Sequence, residues 1–362
     1  MPDLSTKSAR PDRRRYFAIE LATLRVDRLL SFDLYLSVQG QMVLYRDRSL
    51  PFTQKDHARL IESRHQKVYV DEAHRAGFLG YMETELPELM KDPELETTAK
   101  ATIVYETSKV IMENIFENPN FSANIRRTET LVSETVGFVT TNPASFRSIV
   151  SLSDVDYKLY SHSVNVCTYS LGLAQHTGID DPEELAALGI GAMLHDIGKT
   201  RIDPRILRKR TRVTHAELEL MRKHVVYGME LLGNIPGIPK AALIPVLQHS
   251  EREDGSGYPN GLKGSEIHVF GKIVAIADVY DALTTNRVYK QAAPAFEAFQ
   301  QMLTMPLDRE LVCALISLLG PEQEKKQKPP EDSESSPPDV ESRLKNEATE
   351  IDIGAINWPD PT

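Results

Sequence analysis

Cysteine is scarce in this 362-residue chain, which contains only Cys167 and Cys313. Two cysteines in apolar helical surroundings do not make the disulfide framework of a small secreted domain, so they favour a reducing compartment, and we expect both to be buried as small hydrophobic residues. Long apolar runs are also missing, and none approaches the roughly 20 residues needed to cross a bilayer. The basic N-terminal segment has no apolar stretch after it, unlike a secretory signal. The sequence therefore predicts a cytoplasmic protein without a membrane span.

Positive charge is in the minority, because 42 Lys and Arg stand against 52 Asp and Glu, giving a formal net charge of -10. This balance argues against general affinity for nucleic acid polymers, although it leaves room for a local basic pocket that binds a small phosphate ligand. The chain is otherwise 41% hydrophobic and 26% charged. Such a composition is typical of globular proteins, and the length allows two domains with their own cores.

The first part of the chain reads as a basic tail followed by a small α/β domain. Residues 1–15 are polar and predict a disordered tail, and residues 16–92 predict an accessory or regulatory domain. Within it, "SFDLYLSVQGQMVLY" alternates apolar and polar residues around Gly40, which indicates a β-hairpin. Thr53 can cap a helix through "TQKDHARLIESR", and "KVYV" predicts another strand. Nothing in this domain looks catalytic.

The rest of the chain reads as helical until its acidic end. Residues 93–124 predict a long amphipathic connector, which either forms a dimer seam or, as we favour, packs on its own chain. Residues 125–320 show only helices and loops. Residues 321–362 are charged and rich in proline with few large apolar side chains, so they predict a disordered tail.

Six residues in this helical region have side chains that bind metals. A lone histidine on an apolar helix face is more often a packed core residue, and each of the six has such an explanation singly. Together they are nitrogen and oxygen ligands on consecutive predicted helices, and no cysteine is positioned to join them. That combination favours a dinuclear transition-metal centre over a structural zinc site. The six are His162, His195, Asp196, His224, His249 and Asp278.

Two of these ligands are adjacent at the end of "EELAALGIGAMLHD". We expect Gly198 to break the helix there, so that the side chains of His195 and Asp196 converge, the histidine on one ion and the carboxylate between two. Asp278 lies in the nearly uncharged run "GKIVAIADVYDAL", where a buried carboxylate is costly unless it is paired or bound to a metal.

Cations and an aromatic residue accompany the predicted ligands. Tyr258 lies on the glycine-rich stretch "HSEREDGSGYPNGLKG", and Lys199 follows Gly198. Arg287 and Lys290 are expected about two and three helical turns beyond Asp278, where the alternative is a solvated helix end. Metals, three cations and an aromatic ring together favour a site for a phosphoester.

The motifs "HDIGK", "HSEREDGSGYPNGLKG" and "IADVYDALTTNRVYK" resemble the signature of the HD-GYP phosphodiesterases, which hydrolyse the bacterial second messenger cyclic di-GMP. The resemblance covers roughly residues 125–320. It implies a mainly α fold, in which an all-α HD-superfamily bundle surrounds two divalent transition metal ions, usually iron or manganese. The small N-terminal α/β domain would be joined to this bundle by the helical connector.

The resemblance also implies a role for each residue. Asp196 would bridge the ions, Lys199 would lie over the bridging solvent and scissile phosphate, and Tyr258 would contact the nucleotide. Arg287 and Lys290 would grip its phosphates. A metal-bridging hydroxide would then attack cyclic di-GMP to give pGpG, and further hydrolysis to GMP stays open. The first ion would be held by His162, His195, Asp196 and Asp278, and the second by Asp196, His224 and His249.

This chain departs from the family pattern at three places. Ser250 stands where the family commonly has a second histidine, and Lys158 stands where members with three metals carry a glutamate. Both differences affect the third metal and leave the dinuclear ligand set intact. The usual Pro-Gly after the HD helix is replaced by "KRTRVT", close to the expected substrate.

Two other functions are compatible with the same residues. Ser250 could weaken the second metal so far that the domain binds cyclic di-GMP, or a protein partner, without turnover. A diiron oxygenase would use the same six ligands, although it would give Tyr258, Arg287 and Lys290 no purpose. The sequence also leaves open a homodimer through the helical connector and a signalling partner at the N-terminal domain.

Overall fold

The structure is a computed structural model that describes residues 15–118, 122–141, 143–153, 159–207, 209, 211–233, 235–286 and 291–320. For residues 122–126 it describes the backbone only. The predictions made for residues 1–14 and 321–362 lie outside these described residues, as do those for Lys158, Arg287 and Lys290.

The N-terminal part forms antiparallel sheets with a helix on one side. Strands β1, β6, β3 and β4 make a four-stranded sheet in that order, and β2 pairs with β5. The predicted hairpin is confirmed, since β3 and β4 turn at Gly40. The elements are β1 (Tyr16–Glu20), β2 (Arg28–Leu29), β3 (Leu34–Val38), β4 (Gln41–Arg46), β5 (Pro51–Phe52), α1 (Gln54–Glu62), β6 (Lys67–Asp71) and α2 (Arg75–Lys91).

Aromatic packing joins the sheet to α2. The Phe78 ring lies edge-on to both Phe17 and Phe32, with centroids 5.5 Å apart in each pair. The predicted cap of α1 is confirmed, because the Thr53 hydroxyl accepts a hydrogen bond from the Asp56 backbone while the Asp56 carboxylate accepts one from the Thr53 backbone.

The next helix lies in the interior of the chain. Helix α3 (Thr97–Glu117) packs on β1, on α2 and on α6 (Leu159–His176). It is followed in the chain by α4 (Ser122–Thr141) and α5 (Pro143–Val150). Its apolar residues Ile103, Val104 and Ile111 are buried. The amphipathic stripe of this segment is therefore used for packing within the chain.

The remaining helices surround the predicted ligands, and the mainly α fold is confirmed. Helix α6 packs on α7 and α12, α11 packs on α7 and α12, and α10 packs on α11. Among the described residues from 122 to 320, the only β pairing is an isolated bridge between Asp254 and Lys263. The helices are α6 (Leu159–His176), α7 (Pro182–Leu194), α8 (Pro204–Leu207), α9 (His215–Arg222), α10 (His224–Leu232), α11 (Lys240–Gln248), α12 (Val269–Thr284), α13 (Ala295–Met302) and α14 (Arg309–Leu319).

The two cysteines differ in exposure. Cys167 is buried in α6, and burial raises the pKa of its thiol to about 12. Cys313 is exposed, so the prediction that both would be buried is wrong for this residue. The reason is its place on α14, where Val312 and Leu315 face the core and Cys313 is turned away from them. Among the described residues, no helix has the length and apolar character needed to span a membrane.

Candidate metal centre

Five helices bring the six predicted ligands to one buried place. His162 lies in the first turn of α6 and His224 begins α10, while Asp278 projects from α12. His195 directly follows the last residue of α7, with Asp196 next to it, and His249 directly follows α11. The predicted convergence of these side chains is therefore what the structure shows.

The prediction that Gly198 breaks the helix before it is wrong. Helix α7 already ends at Leu194, and Gly198 lies inside a 3-10 turn, Ile197–Arg201. A Cβ atom on Gly198 would lie 1.9 Å from the carbonyl oxygen of His224 and 2.5 Å from the backbone nitrogen of Gly228. Glycine is thus needed because the turn approaches α10 closely, and this approach brings Asp196 up to His224.

The carboxylate of Asp196 lies between two groups of histidines. Its Oδ2 atom is 3.4 Å from His195 Nε2 and 3.7 Å from His162 Nε2. Its Oδ1 atom is 3.4 Å from His224 Nε2 and 3.9 Å from His249 Nε2. Since each oxygen faces a different pair of nitrogens, this one side chain can serve two metal positions.

Three of the histidines are held by backbone carbonyl groups. The Nδ1 atom of His195 donates to Ala192 O at 2.7 Å, and that of His224 donates to Met221 O at the same distance. His249 Nδ1 donates to Pro245 O at 3.0 Å. Because a carbonyl oxygen can only accept, each Nδ1 carries the proton and each Nε2 presents a lone pair to the cluster.

The donor atoms fit a divalent transition metal. His162, His195 and Asp278 form one group whose ligand atoms lie within 4.8 Å of one another, and His195, Asp196 and His249 form a second. His195 belongs to both groups, whereas the sequence assigned it to the first ion alone. The buried Nε2 of His195 makes no hydrogen bond of good geometry to any described residue, which a metal would remedy.

Burial and neighbouring charges set the protonation states that metal binding requires. Burial, together with the nearby His195 and His224, lowers the pKa of His249 to about 3. Burial also lowers the pKa of His224. For Asp196 burial acts to raise the pKa, but Lys199 and the histidines outweigh it and hold the pKa well below its usual range. The imidazoles of His224 and His249 are therefore neutral and the carboxylate of Asp196 is ionised at neutral pH.

Asp278 lies at the open side of the cluster. Its carboxylate oxygen is 3.2 Å from His162 Nε2, and the side chain keeps 25% of its area exposed. Burial acts to raise the pKa of Asp278, yet the neighbouring His162 and His195 lower it.

Lys199 is the cation nearest to the bridging carboxylate. Its ammonium group contacts Asp196 Oδ2, and 22% of its side chain remains exposed. The structure thus places Lys199 beside the predicted metal positions, with part of its side chain open to solvent.

Tyr258 also lies beside the cluster. Its ring centroid is 6.2 Å from that of His224, and the Arg222 guanidinium lies 5.1 Å from the Tyr258 centroid. Burial raises the pKa of the Tyr258 hydroxyl, while a hydrogen bond with the Ser250 side chain lowers it. The Tyr258 backbone N–H also donates to the Ser250 carbonyl oxygen at 3.2 Å, so Ser250 lies directly beside the tyrosine.

The loop that carries Tyr258 is fixed by a buried carboxylate that the sequence analysis missed. Glu251 Oε1 accepts a hydrogen bond from the Asn260 backbone at 2.8 Å, and Oε2 accepts one from the Leu262 backbone at 3.0 Å. A Cβ atom on Gly257 would lie 2.4 Å from Glu251 Cα, so glycine is required where the loop folds back.

Helix α12 ends before the predicted phosphate-binding pair is reached in the sequence. Its last residue is Thr284, and the backbone of Thr285 is extended. Arg287 and Lys290 themselves lie outside the described residues.

Sequence comparisons find that the chain is similar to proteins named as cyclic dinucleotide phosphodiesterases. Residues 147–311 match the family model described as HD domain. The chain is 32% identical over 209 residues to a cyclic di-GMP phosphodiesterase of Pseudomonas aeruginosa, a match that covers 57% of this chain and 50% of that protein. It is 40% identical over 149 residues to a cyclic di-GMP phosphodiesterase of Thermotoga maritima, covering 41% and 40%. A 3'3'-cGAMP-specific phosphodiesterase of Vibrio cholerae is 35% identical over 190 residues, covering 50% and 33%.

The chain spans about half, or less, of the length of these curated relatives. Among solved structures, an HDG"Y"P protein from Bdellovibrio bacteriovorus superposes with a TM-score of 0.62 at 23% identity, covering 84% of this chain and 99% of that one. At this identity the superposition supports the fold alone. The predicted resemblance is confirmed, since residues 147–311 match the HD domain model and the similar proteins are named cyclic di-GMP phosphodiesterases.

Proposed function

We propose that this HD-domain chain is a metal-dependent phosphodiesterase that hydrolyses cyclic di-GMP to pGpG. The observation that supports it best is Asp196, whose two carboxylate oxygens face two separate groups of histidines. A structural zinc site has a single closed set of four ligands, so a shared carboxylate favours a catalytic pair of ions instead.

The six ligands would hold two divalent ions, with Asp196 shared between them. When bound, such ions supply Lewis-acid charge to a phosphodiester and make water a better nucleophile at neutral pH. The protein itself contributes the neutral imidazoles and the ionised carboxylates that bind them. The first position would use His162, His195, Asp196 and Asp278, and the second would use Asp196, His224 and His249.

Lys199 would assist the reaction from beside Asp196. Its ammonium group is fixed by the carboxylate and still partly exposed, so it can stabilise negative charge that develops on the leaving oxygen. Tyr258, placed by Ser250 and Arg222, would contact the bound nucleotide. Arg287 and Lys290 would bind its phosphates, as the resemblance implies.

Four further parts of the proposal rest on the sequence. The ions would be iron or manganese, and the enzyme would work in the cytoplasm. A homodimer through residues 93–124 would need side chains other than Ile103, Val104 and Ile111, because these are already buried within the chain. A signalling partner would bind the N-terminal domain.

The test is product chromatography after incubating the full chain with cyclic di-GMP and Mn²⁺ under reducing conditions. We expect pGpG to form, to disappear with a chelator and to return with added Mn²⁺. The Asp278→Asn variant should lose activity, whereas Asp203→Asn, which alters a carboxylate that pairs with Arg205 at the surface, should keep it. Parallel reactions with 3'3'-cGAMP decide the substrate, because relatives of both specificities exist.

A binding protein is the second candidate, favoured by Ser250 in place of a family histidine. It predicts that cyclic di-GMP binds in equilibrium dialysis and that no pGpG appears on prolonged incubation with iron or manganese. Product from the wild-type chain that is absent from Asp278→Asn would exclude it.

A further inference from the structure

His162 is anchored differently from the other three histidines of the metal centre. Its Nδ1 atom lies 2.6 Å from Asp281 Oδ2, so its partner is a carboxylate, whereas the others donate to backbone carbonyl groups. Asp281 lies on α12, one helical turn after Asp278, and its side chain is only 1% exposed. A buried carboxylate is a stronger acceptor for the imidazole than a carbonyl group is.

The second oxygen of Asp281 continues into a buried chain of hydrogen bonds. Asn165 Nδ2 donates to Asp281 Oδ1 at 2.7 Å, and the Tyr105 hydroxyl donates to Asn165 Oδ1 at 3.0 Å. Each of these side chains is buried. We call Tyr105, Asn165 and Asp281 the α3 relay, because it runs from α3 through α6 and α12 to His162.

The chemistry of the α3 relay allows one arrangement of protons. The amide of Asn165 receives a hydroxyl on its oxygen and therefore turns its NH₂ group to Asp281. The carboxylate of Asp281 accepts from Asn165 with one oxygen and from His162 with the other. Nδ1 of His162 must then carry the ring proton, which leaves the lone pair on Nε2, directed at Asp278 and Asp196.

Helix α3, which carries Tyr105 of the α3 relay, is also contacted by the N-terminal domain. Arg75, at the start of α2, donates to Glu113 Oε2 at 2.7 Å and to the Val110 carbonyl at 3.2 Å, both on α3. The guanidinium of Arg75 also lies 4.5 Å from the centroid of the Phe17 ring on β1. Helix α3 is therefore fixed between the N-terminal sheet and the metal centre.

We propose that Tyr105, Asn165 and Asp281 are positioning residues that set the tautomer of His162 and so the affinity of the first metal position. This inference rests on the proposed function, since it takes His162 as a ligand. It assigns a task to a part of α3 far from the metal-binding motifs, and it makes the packing of the N-terminal domain on α3 relevant to metal binding.

The substitution Asp281→Asn tests the inference directly. An amide offers one acceptor where the carboxylate offers two, so either Asn165 or His162 would face another donor. We expect affinity for the first ion to fall by about 10- to 100-fold, the range found when such supporting partners are removed, while the second position keeps its ion. Tyr105→Phe removes only the outermost hydroxyl, so its loss should be smaller, at about two- to tenfold.

The experiment uses the full chain, stripped of metal by dialysis against a chelator and titrated with Mn²⁺ while free Mn²⁺ is followed by electron paramagnetic resonance. Ser108→Ala is the matched control for Tyr105→Phe, because Ser108 is a buried hydroxyl on α3 that donates to Val104 within the same helix. Histidine labelled with ¹⁵N reports the tautomer of His162, which we expect to be Nδ1–H in the wild type and altered in Asp281→Asn.

The outcomes separate this inference from the proposed function. A wild-type chain that binds no Mn²⁺ contradicts the metal centre itself. A wild-type chain that binds two ions, with unchanged affinity and an unchanged His162 tautomer in Asp281→Asn, overturns the α3 relay alone. If circular dichroism shows that Asp281→Asn does not fold, the Tyr105→Phe variant tests the inference instead. An affinity for Mn²⁺ equal to that of the Ser108→Ala control would then overturn it.

Discussion

His224 and His249 face each other with their Nε2 atoms 3.1 Å apart. Each donates its Nδ1–H to a backbone carbonyl, so each presents a lone pair at Nε2. Two lone pairs at this distance repel unless a proton or a cation lies between them. Burial holds the pKa of His249 at about 3, which excludes the proton at neutral pH. A cation bound by both nitrogens would remove this repulsion.

Removing the metal should destabilise the protein. A ligand present at about 100 times its dissociation constant stabilises the folded state by about 2.7 kcal/mol, so a chelator should lower the melting temperature by several degrees. Differential scanning calorimetry measures this change. The His249→Ala variant, which loses one ligand and the repulsion, should respond less to the chelator. Equal melting temperatures with and without chelator in the wild type would contradict a metal at this position.

The metal-free protein should lose stability as the pH falls. His249 has a folded-state pKa of about 3, below the ordinary value of about 6.5, so between these values the unfolded chain binds a proton that the folded chain excludes. Stability is then fully present above about pH 6.5 and decreases as the pH falls toward 3. For this one residue the loss between pH 7 and pH 5 is about 2 kcal/mol. Urea unfolding at the two pH values measures it.

The His249→Asn variant serves as the comparison for this pH dependence. It lacks the titrating imidazole, so its stability should change less between pH 7 and pH 5 than that of the wild type, both stripped of metal. Identical slopes in the two proteins would show that His249 is not excluded from protonation in the folded state.

Much of the metal centre could be predicted from the sequence because its ligands lie in distinctive local motifs. His195 and Asp196 end an apolar run, and Asp278 is a carboxylate in a nearly uncharged helix, so each is unusual within a few residues of chain. Asp281 lies in the same run and satisfies the same criterion, yet its partner His162 is 119 residues away. A hydrogen bond between residues so far apart in the sequence depends on how the helices pack, and a local sequence pattern does not reveal that packing.

The errors at Gly198 and Cys313 also have physical causes. A glycine after an apolar run was interpreted as a helix breaker, but it is needed because α10 lies too close for a side chain. Cys313 follows Val312, and on a half-buried helix adjacent residues point to different sides. The hairpin at Gly40 and the cap at Thr53 were predictable, because both depend on residues only a few positions apart.

Glu251 should prove important for substrate binding without being a metal ligand. In Glu251→Gln, the amide can accept from the backbone of Asn260 or Leu262 but not from both, so the loop that carries Tyr258 should shift. We expect KM for cyclic di-GMP to rise by about tenfold or more, because small displacements of positioning groups have large kinetic effects. Steady-state kinetics and metal analysis together measure this.

The matched control is Glu253→Gln in the same loop, where the carboxylate pairs with Lys272 at 3.2 Å. Its KM should stay near that of the wild type. Loss of metal from Glu251→Gln, or an equal rise of KM in both variants, would contradict a role of Glu251 in placing Tyr258.

Ser250→Ala should raise KM modestly without removing metal. The substitution removes the hydroxyl group that acts on the Tyr258 side chain and leaves the six predicted ligands in place. We therefore expect KM to rise by less than about tenfold, or ~1.4 kcal/mol, with kcat and metal content nearly unchanged. Ser256→Ala is the control, since its hydroxyl contacts Asp254 on the exposed part of the loop. A large fall in kcat with loss of an ion would instead make Ser250 part of the second metal position.

The most direct test of a shared-carboxylate, two-metal phosphodiesterase is elemental analysis of the full chain purified without oxygen, combined with product chromatography on cyclic di-GMP from the same sample. The wild type should contain two iron or manganese ions per chain and form pGpG, as should the surface control Asp203→Ala. Asp196→Ala should contain neither ion and form no product, because it removes the carboxylate that faces both groups of histidines. Two ions retained in Asp196→Ala, or a wild type with two ions and no pGpG after prolonged incubation, would contradict this account.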